Sequence, residues 1–114
     1  EETTKIDRRR TINGMSPNFV HSMDATALTL TINRCIKGGI KDYSVVHDSF
    51  GVHAHFVPRL ANSIRESFVD MYSKTDVLEA FYENVVDVIP DLEEPPTRGE
   101  LDITGVLDSK YFFS

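Results

Sequence analysis

The chain has 114 residues, 40% of them hydrophobic and 26% charged, which suits one folded domain with a modest core and excludes a disordered polymer. Its formal net charge of −6 excludes a self-sufficient nucleic-acid binder of the basic type, though not an acidic active-site piece of a larger protein whose basic surface lies elsewhere. A single cysteine, Cys35, excludes an internal disulfide and a cysteine-based zinc site, and no apolar run approaches the roughly 20 residues of a membrane span.

Glu1 is not a methionine, stands in a charged stretch and opens no signal-peptide pattern, so the sequence reads as a piece of a longer chain. Residues 1–15 are polar and charged, with a basic run at Arg8, Arg9 and Arg10. Asn13, Gly14 and Pro17 are loop signals, and Ser16 before Pro17 predicts a helix start: a hydroxyl N-cap, then a proline where no N–H is needed. Val20, Met23, Ala27, Leu30, Thr31 and Arg34 recur at helical spacing, predicting a helix from Pro17 to Lys37. Gly38 and Gly39 end it, with Lys37 suiting the negative helix end.

Tyr43 to Val46 is short and β-prone. A turn around His47 to Ser49 follows, and then Phe50, Val52, Ala54 and Phe56 alternate with polar residues. This period of two predicts a β-hairpin running to Val57, with the His47–Asp48 pair near its apex and His53 and His55 on the outer face. Pro58 opens a helix bearing Leu60, Ile64, Phe68 and Met71 on one stripe. Thr75 and Asp76 start another, carrying Val77, Leu78, Phe81, Tyr82, Val85 and Val86 and ending before Pro90. "PDLEEPPTRGE" is an exposed, acidic, proline-rich linker; a short helical turn from Asp102 to Leu107 precedes the tail "SKYFFS".

Three sets of residues offer chemistry. His53 and His55, on one face of a strand, could ligate zinc together with His47 or Asp48, but a His-x-His on an exposed strand is more often plain polar surface. Asp48 at a hairpin apex is rigidly placed yet exposed, the kind of hard oxygen ligand Mg²⁺ takes. The ordinary alternative is a turn aspartate bonding its own backbone. Asn18, His21 and Ser22 fall on one helical face with Asp24 nearby. Such a face suits a polynucleotide backbone or base edges. Its alternative is a solvated face on which Asp24 helps the positive helix end.

Three separated segments, "SPNFVHSMDA", "VVHDSFGVHA" and "GVLDSKYFFS", resemble the C-terminal part of single-subunit, bacteriophage-type DNA-directed RNA polymerases, a family with mitochondrial and plastid members. Between them, "SIRESFVDMYSKTDVLEAFYE" resembles the helices that follow the catalytic hairpin in the same enzymes. The likeness covers nearly the whole chain, most clearly Gly14 to Glu83 and Gly99 to Ser114.

The resemblance implies an α+β fold: a fragment of a right-hand polymerase palm, whose β-hairpin carries the catalytic aspartate and packs with several helices. Residues 1–20 would end the fingers, and residues 21–114 would form the later palm with a C-terminal aromatic foot, Tyr111 to Ser114, packing towards the active site. Asp48 would be one of two carboxylates holding catalytic Mg²⁺, the other belonging to an earlier motif outside this sequence. His47 would lie beside the growing RNA end, and His21 would face the minor-groove side of the nascent base pair. Asn18, Ser22 and Asp24 belong to the same motif, while His53 and His55 match no family motif. The implied activity is template-directed RNA synthesis from NTPs. Its partners are a DNA template, nascent RNA and the remainder of the polymerase, with no membrane. The isolated fragment is expected to be inactive. Related right-hand DNA polymerases share a His-Asp hairpin but carry glutamate where Ser49 stands. A third alternative is a non-catalytic domain on a polymerase-like scaffold.

Overall fold

The computed structural model describes residues 4–113. Glu1 to Thr3, within the expected fingers segment, and Ser114, within the expected foot, lie outside the described residues. The element order is helix α1 (Arg8–Lys37), strands β1 (Tyr43–Val46) and β2 (Ser49–Val52), a 3₁₀ turn (Ala54–Phe56), helices α2 (Val57–Lys74) and α3 (Val77–Val86), and a second 3₁₀ segment (Ile103–Asp108). The architecture is α+β: several helices and one two-stranded antiparallel hairpin.

Helix α1 starts nine residues before its expected start, which is a correction to the loop expected at Asn13–Pro17. The cap is Asp7, not Ser16. Asp7 accepts a bond from the Arg10 N–H at 3.1 Å, and its carbonyl accepts the first helical bond from the Thr11 N–H at 3.0 Å. Pro17 therefore sits inside the helix, where its missing N–H leaves the Asn13 carbonyl without its usual donor. The helix tolerates this because it continues for twenty residues beyond Pro17, and because Phe19 packs edge-on against Phe81 of α3 at 5.3 Å. Asp24 consequently lies in mid-helix, not in a position to help the N-terminal pole.

The other end of α1 follows its sequence signals. Gly39 takes φ of 89°, the left-handed conformation that glycine adopts without a Cβ clash. Its N–H donates to the Ile36 carbonyl at 3.1 Å and the Ile40 N–H to the Cys35 carbonyl at 3.0 Å, a Schellman pair. Ile40, thus turned inward, is 1% exposed and packs with Cys35, Leu60 and Ile64. Lys37 and Arg34 stand in the last turn, as the dipole favours.

The hairpin pairs Tyr43 with Val52, Ser44 with Gly51, Val45 with Phe50 and Val46 with Ser49. Phe50 and Val52 turn inward onto the Cys35–Ile40–Leu60–Ile64 cluster. Strand β2 ends at Val52, a second correction: residues 53–57 are not strand. The cause is that β1 runs out at Tyr43, so nothing beyond Val52 has a ladder partner. The chain instead closes a 3₁₀ turn, with the Phe56 N–H on the His53 carbonyl at 2.8 Å, leading into α2 with Pro58 in its first turn.

Helix α2 lays Leu60, Ile64, Ser67 and Met71 along α1, which contributes Thr31 and Cys35. Small polar Thr31 and Ser67 are 2% and 1% exposed, so the two helices approach closely there. The seam is clamped outside by Arg34, which pairs with Glu66 at 3.0 Å and with Asp70, while Lys74 reaches Asp70 from the next turn at 3.3 Å. At the other end, Arg59 stacks over Phe56 and donates to the Gly38 carbonyl at 3.0 Å, at the negative pole of α1. Asp76 caps α3 as expected, accepting from the Glu79 N–H at 3.2 Å. The exposed linker is clipped back by Arg98, which donates to the Thr75 carbonyl at 2.6 Å and pairs with Asp76 at 3.1 Å.

Candidate functional site

The His47–Asp48 turn is built by a tight register. Val46 faces Ser49, leaving two residues to reverse the chain. A two-residue loop of this kind needs positive φ, and here His47 supplies it at 53°, the one non-glycine residue with positive φ among the described residues. Left-handed backbone costs an ordinary residue about 1–2 kcal/mol, and histidine tolerates it better than most. The cost is held at the tip because the base of the hairpin is fixed. Phe50, two residues from Asp48, packs on the core and meets the ring of Phe113 edge-on at 6.0 Å. The next aromatic, Phe112, packs against Phe68 of α2 at 4.9 Å and against the same core cluster. Arg65 holds the tail in place through the Ser109 carbonyl at 2.8 Å. Asp48 is thus an exposed carboxylate on an anchored hairpin.

Among the described residues no three His, Cys, Asp or Glu side chains converge as a metal-binding group. His53 and His55 do not share a strand face, because one precedes and the other lies inside the 3₁₀ turn; His55 stacks beside Phe56 at 5.1 Å. The histidine zinc arrangement loses its geometric premise. A carboxylate oxygen at Asp48 suits a hard cation, but it is one ligand of a site that needs more.

Asn18, His21 and Ser22 are exposed on α1 and, because α1 is an unbroken helix there, they share one face. The Ser22 hydroxyl donates to the Phe19 carbonyl at 2.7 Å, so its proton is committed to backbone and only its lone pairs face outward. Tyr72 of α2 has its hydroxyl raised above its ordinary pKa, first by its own burial and then by the negative charge of Asp24. No hydrogen bond or ion pair among the described residues joins the α1 set to the hairpin apex. The sequence reading put Phe50 on the apolar strand face but missed Phe112 as the tail ring that packs on the core; the aromatic tail was the available signal, but it did not tell which ring turns inward.

The family described as DNA-dependent RNA polymerase matches residues 1–91. Over 115 aligned residues, the chain is 38% identical to "DNA-directed RNA polymerase 1, mitochondrial" of Arabidopsis thaliana, covering 99% of this chain and 12% of that protein. It is 40% identical to "DNA-directed RNA polymerase 2, chloroplastic/mitochondrial" of the same plant, covering 11% of it. "DNA-directed RNA polymerase 1A" of Nicotiana tabacum is 37% identical and 73% covered. The chain thus spans about one ninth of the length of the first two relatives. With a family match over most of its length and a well-covered relative above 30% identity, this chain belongs to the DNA-dependent RNA polymerase family, of the single-subunit, bacteriophage type.

Proposed function

We propose that this chain is the C-terminal palm portion of a DNA-directed RNA polymerase, with Asp48 as a ligand of catalytic Mg²⁺. The observation that carries the reading is Asp48 itself, an exposed carboxylate at the tip of a hairpin braced on the core, in a chain aligned almost end to end with RNA polymerases. Residues 1–20 are assigned to the end of the fingers and 21–114 to the palm and its aromatic foot. That boundary falls inside α1, so it is a division of labour along one helix, with no break in the chain. The second carboxylate and the remaining basic surface belong to the rest of the polymerase. A thin core supports this: among the described residues six hydrophobic side chains are buried, while Ile12, Met15, Val20, Ile36 and Val46 are each more than half exposed.

In the reaction, the RNA 3′ oxygen forms a bond to the α-phosphorus of an incoming NTP as the bond to pyrophosphate breaks. The chemistry a pair of Mg²⁺ ions supplies there is activation of the 3′ hydroxyl and stabilisation of the leaving oxygen. Asp48 contributes charge and position, not proton transfer. His47 stands beside the growing RNA end, and His21, with Asn18 and Ser22, faces the nascent base pair on the template DNA. The DNA-polymerase alternative is not favoured, since Ser49 stands where those enzymes carry glutamate. No helix of the described residues is long and apolar enough to cross a membrane.

The test is Asp48→Asn in the full-length enzyme. Nucleotide addition is expected to be lost and promoter binding kept; near-normal elongation would show the assignment wrong.

A further inference from the structure

We infer that Arg8, Arg9 and Arg10 hold the phosphate backbone of the template–product duplex, as the far end of a contact track that α1 carries from its first turn to His21. This rests on the placement of His21 at the nascent base pair proposed above. Three observations carry it. The first is charge: in a chain of net charge −6, residues 8–23 hold three arginines and no carboxylate. The second is that the arginines stand where helix stability disfavours them. The first turn of α1 contains no acidic residue, and cations there oppose the positive helix pole. Asp7 pairs with Arg10 at 3.5 Å, and the Arg10 side chain remains 90% exposed; Arg8 and Arg9 are exposed too. Folding does not explain three cations held there, whereas a polyanion would.

The third observation is alignment. Arg10 and His21 are eleven residues apart on one continuous helix, which brings them to within about 20° of the same face and about 16 Å apart along it. Arg9 lies about 100° and Arg8 about 160° round the helix from Arg10, so Arg10 heads the track and the other two add positive charge around the same helix end. One strand of a duplex carries about five phosphates over that span. Between the two ends the face presents Gly14, Pro17 and Asn18, with no charge to repel a phosphate backbone. Arginine suits the role because its planar fork meets phosphate oxygens in pairs.

The experiment uses the full-length enzyme and RNA–DNA hybrid duplexes of two unrelated sequences, with affinity measured by fluorescence anisotropy across a range of KCl. In Arg8→Gln/Arg9→Gln/Arg10→Gln, binding should weaken equally on both sequences. The plot of log affinity against log salt should become shallower by about one to two, one lost counterion per phosphate contact. A control, Lys41→Gln/Lys110→Gln, should leave the slope as in wild type. Removing cations from the positive pole should not lower helix content by circular dichroism, so weaker binding is not an unfolding artefact. An unchanged slope, or a loss confined to one sequence, would overturn the inference. The slope is read without turnover, so it stands or falls separately from the loss of incorporation that Asp48→Asn tests.

Discussion

Truncating Phe112 to alanine should loosen the hairpin that carries Asp48. The ring packs against Phe68 at 4.9 Å and onto the Cys35–Ile40–Leu60–Ile64 cluster, where Phe50 and Val52 also pack. A fully buried phenylalanine cut to alanine costs about 3–5 kcal/mol. Phe112 is only half-buried, and its edge-to-face pair with Phe68 accounts for about 1 kcal/mol. A cost of about 2 kcal/mol is therefore expected, which corresponds to roughly a thirtyfold rise in local opening. Hydrogen exchange across residues 43–52 in the full-length enzyme reads it directly. Tyr111→Ala is the internal control, because Tyr111 is 88% exposed and should change exchange little. Equal effects from the two variants, or no effect from Phe112→Ala, would refute the idea that the inward-facing tail ring braces the hairpin.

Two further outcomes follow from single residues. Asp70 has its carboxyl held below its ordinary value, first by the Lys74 hydrogen bond and then by Arg34, against opposing desolvation. A lowered folded-state pKa means stability fully present above the unfolded value near 3.8 and lost as pH falls through the folded one. Acid titration of wild type should show that loss below pH about 4, and Asp70→Asn should flatten it; an unaltered acid limb would contradict the Arg34–Asp70–Lys74 clamp. At the hairpin tip, His47→Val should cost about 1–2 kcal/mol by placing a β-branched residue at positive φ, and His47→Gly should not. Thermal melting of the pair checks it, and equal melting temperatures would mean the left-handed turn is not imposed by the register.

How much was legible in the sequence depends on whether a signal acts locally. Gly38–Gly39 specified a helix end that needs only its own backbone bonds, and the Schellman pair is there. Asp76 as a cap and the Leu60–Ile64–Met71 stripe were equally local or periodic. The start of α1 was not legible. Asn13, Gly14 and Pro17 each favour a loop, yet Asp7 caps earlier and the helix runs through them, held by a tertiary contact from Phe19 to Phe81. The end of β2 was misread for a related reason: alternation persists to Phe56, but a strand lasts only as long as its partner, and β1 stops at Tyr43.

For the candidate site, composition left Asp48 no better than an ordinary turn aspartate, and the resemblance of "HDSFG" and "PNFVHS" gave it a role. What the sequence hid was the left-handed backbone at His47, a conformation usually signalled by glycine or asparagine. It also hid the inward turn of Phe112 rather than Tyr111.

The divalent cation proposed at Asp48 has a direct test. Replacing Mg²⁺ by Fe²⁺ in the full-length enzyme and adding hydrogen peroxide with ascorbate generates hydroxyl radicals at the metal, as Fe²⁺ splits the peroxide and ascorbate returns Fe³⁺ to Fe²⁺, and the radicals cut the chain beside the metal's ligands. Cleavage is expected within the 43–52 hairpin, competed away by excess Mg²⁺ and absent in Asp48→Asn. Cleavage that spares the hairpin, or that persists unchanged in Asp48→Asn, would contradict the account.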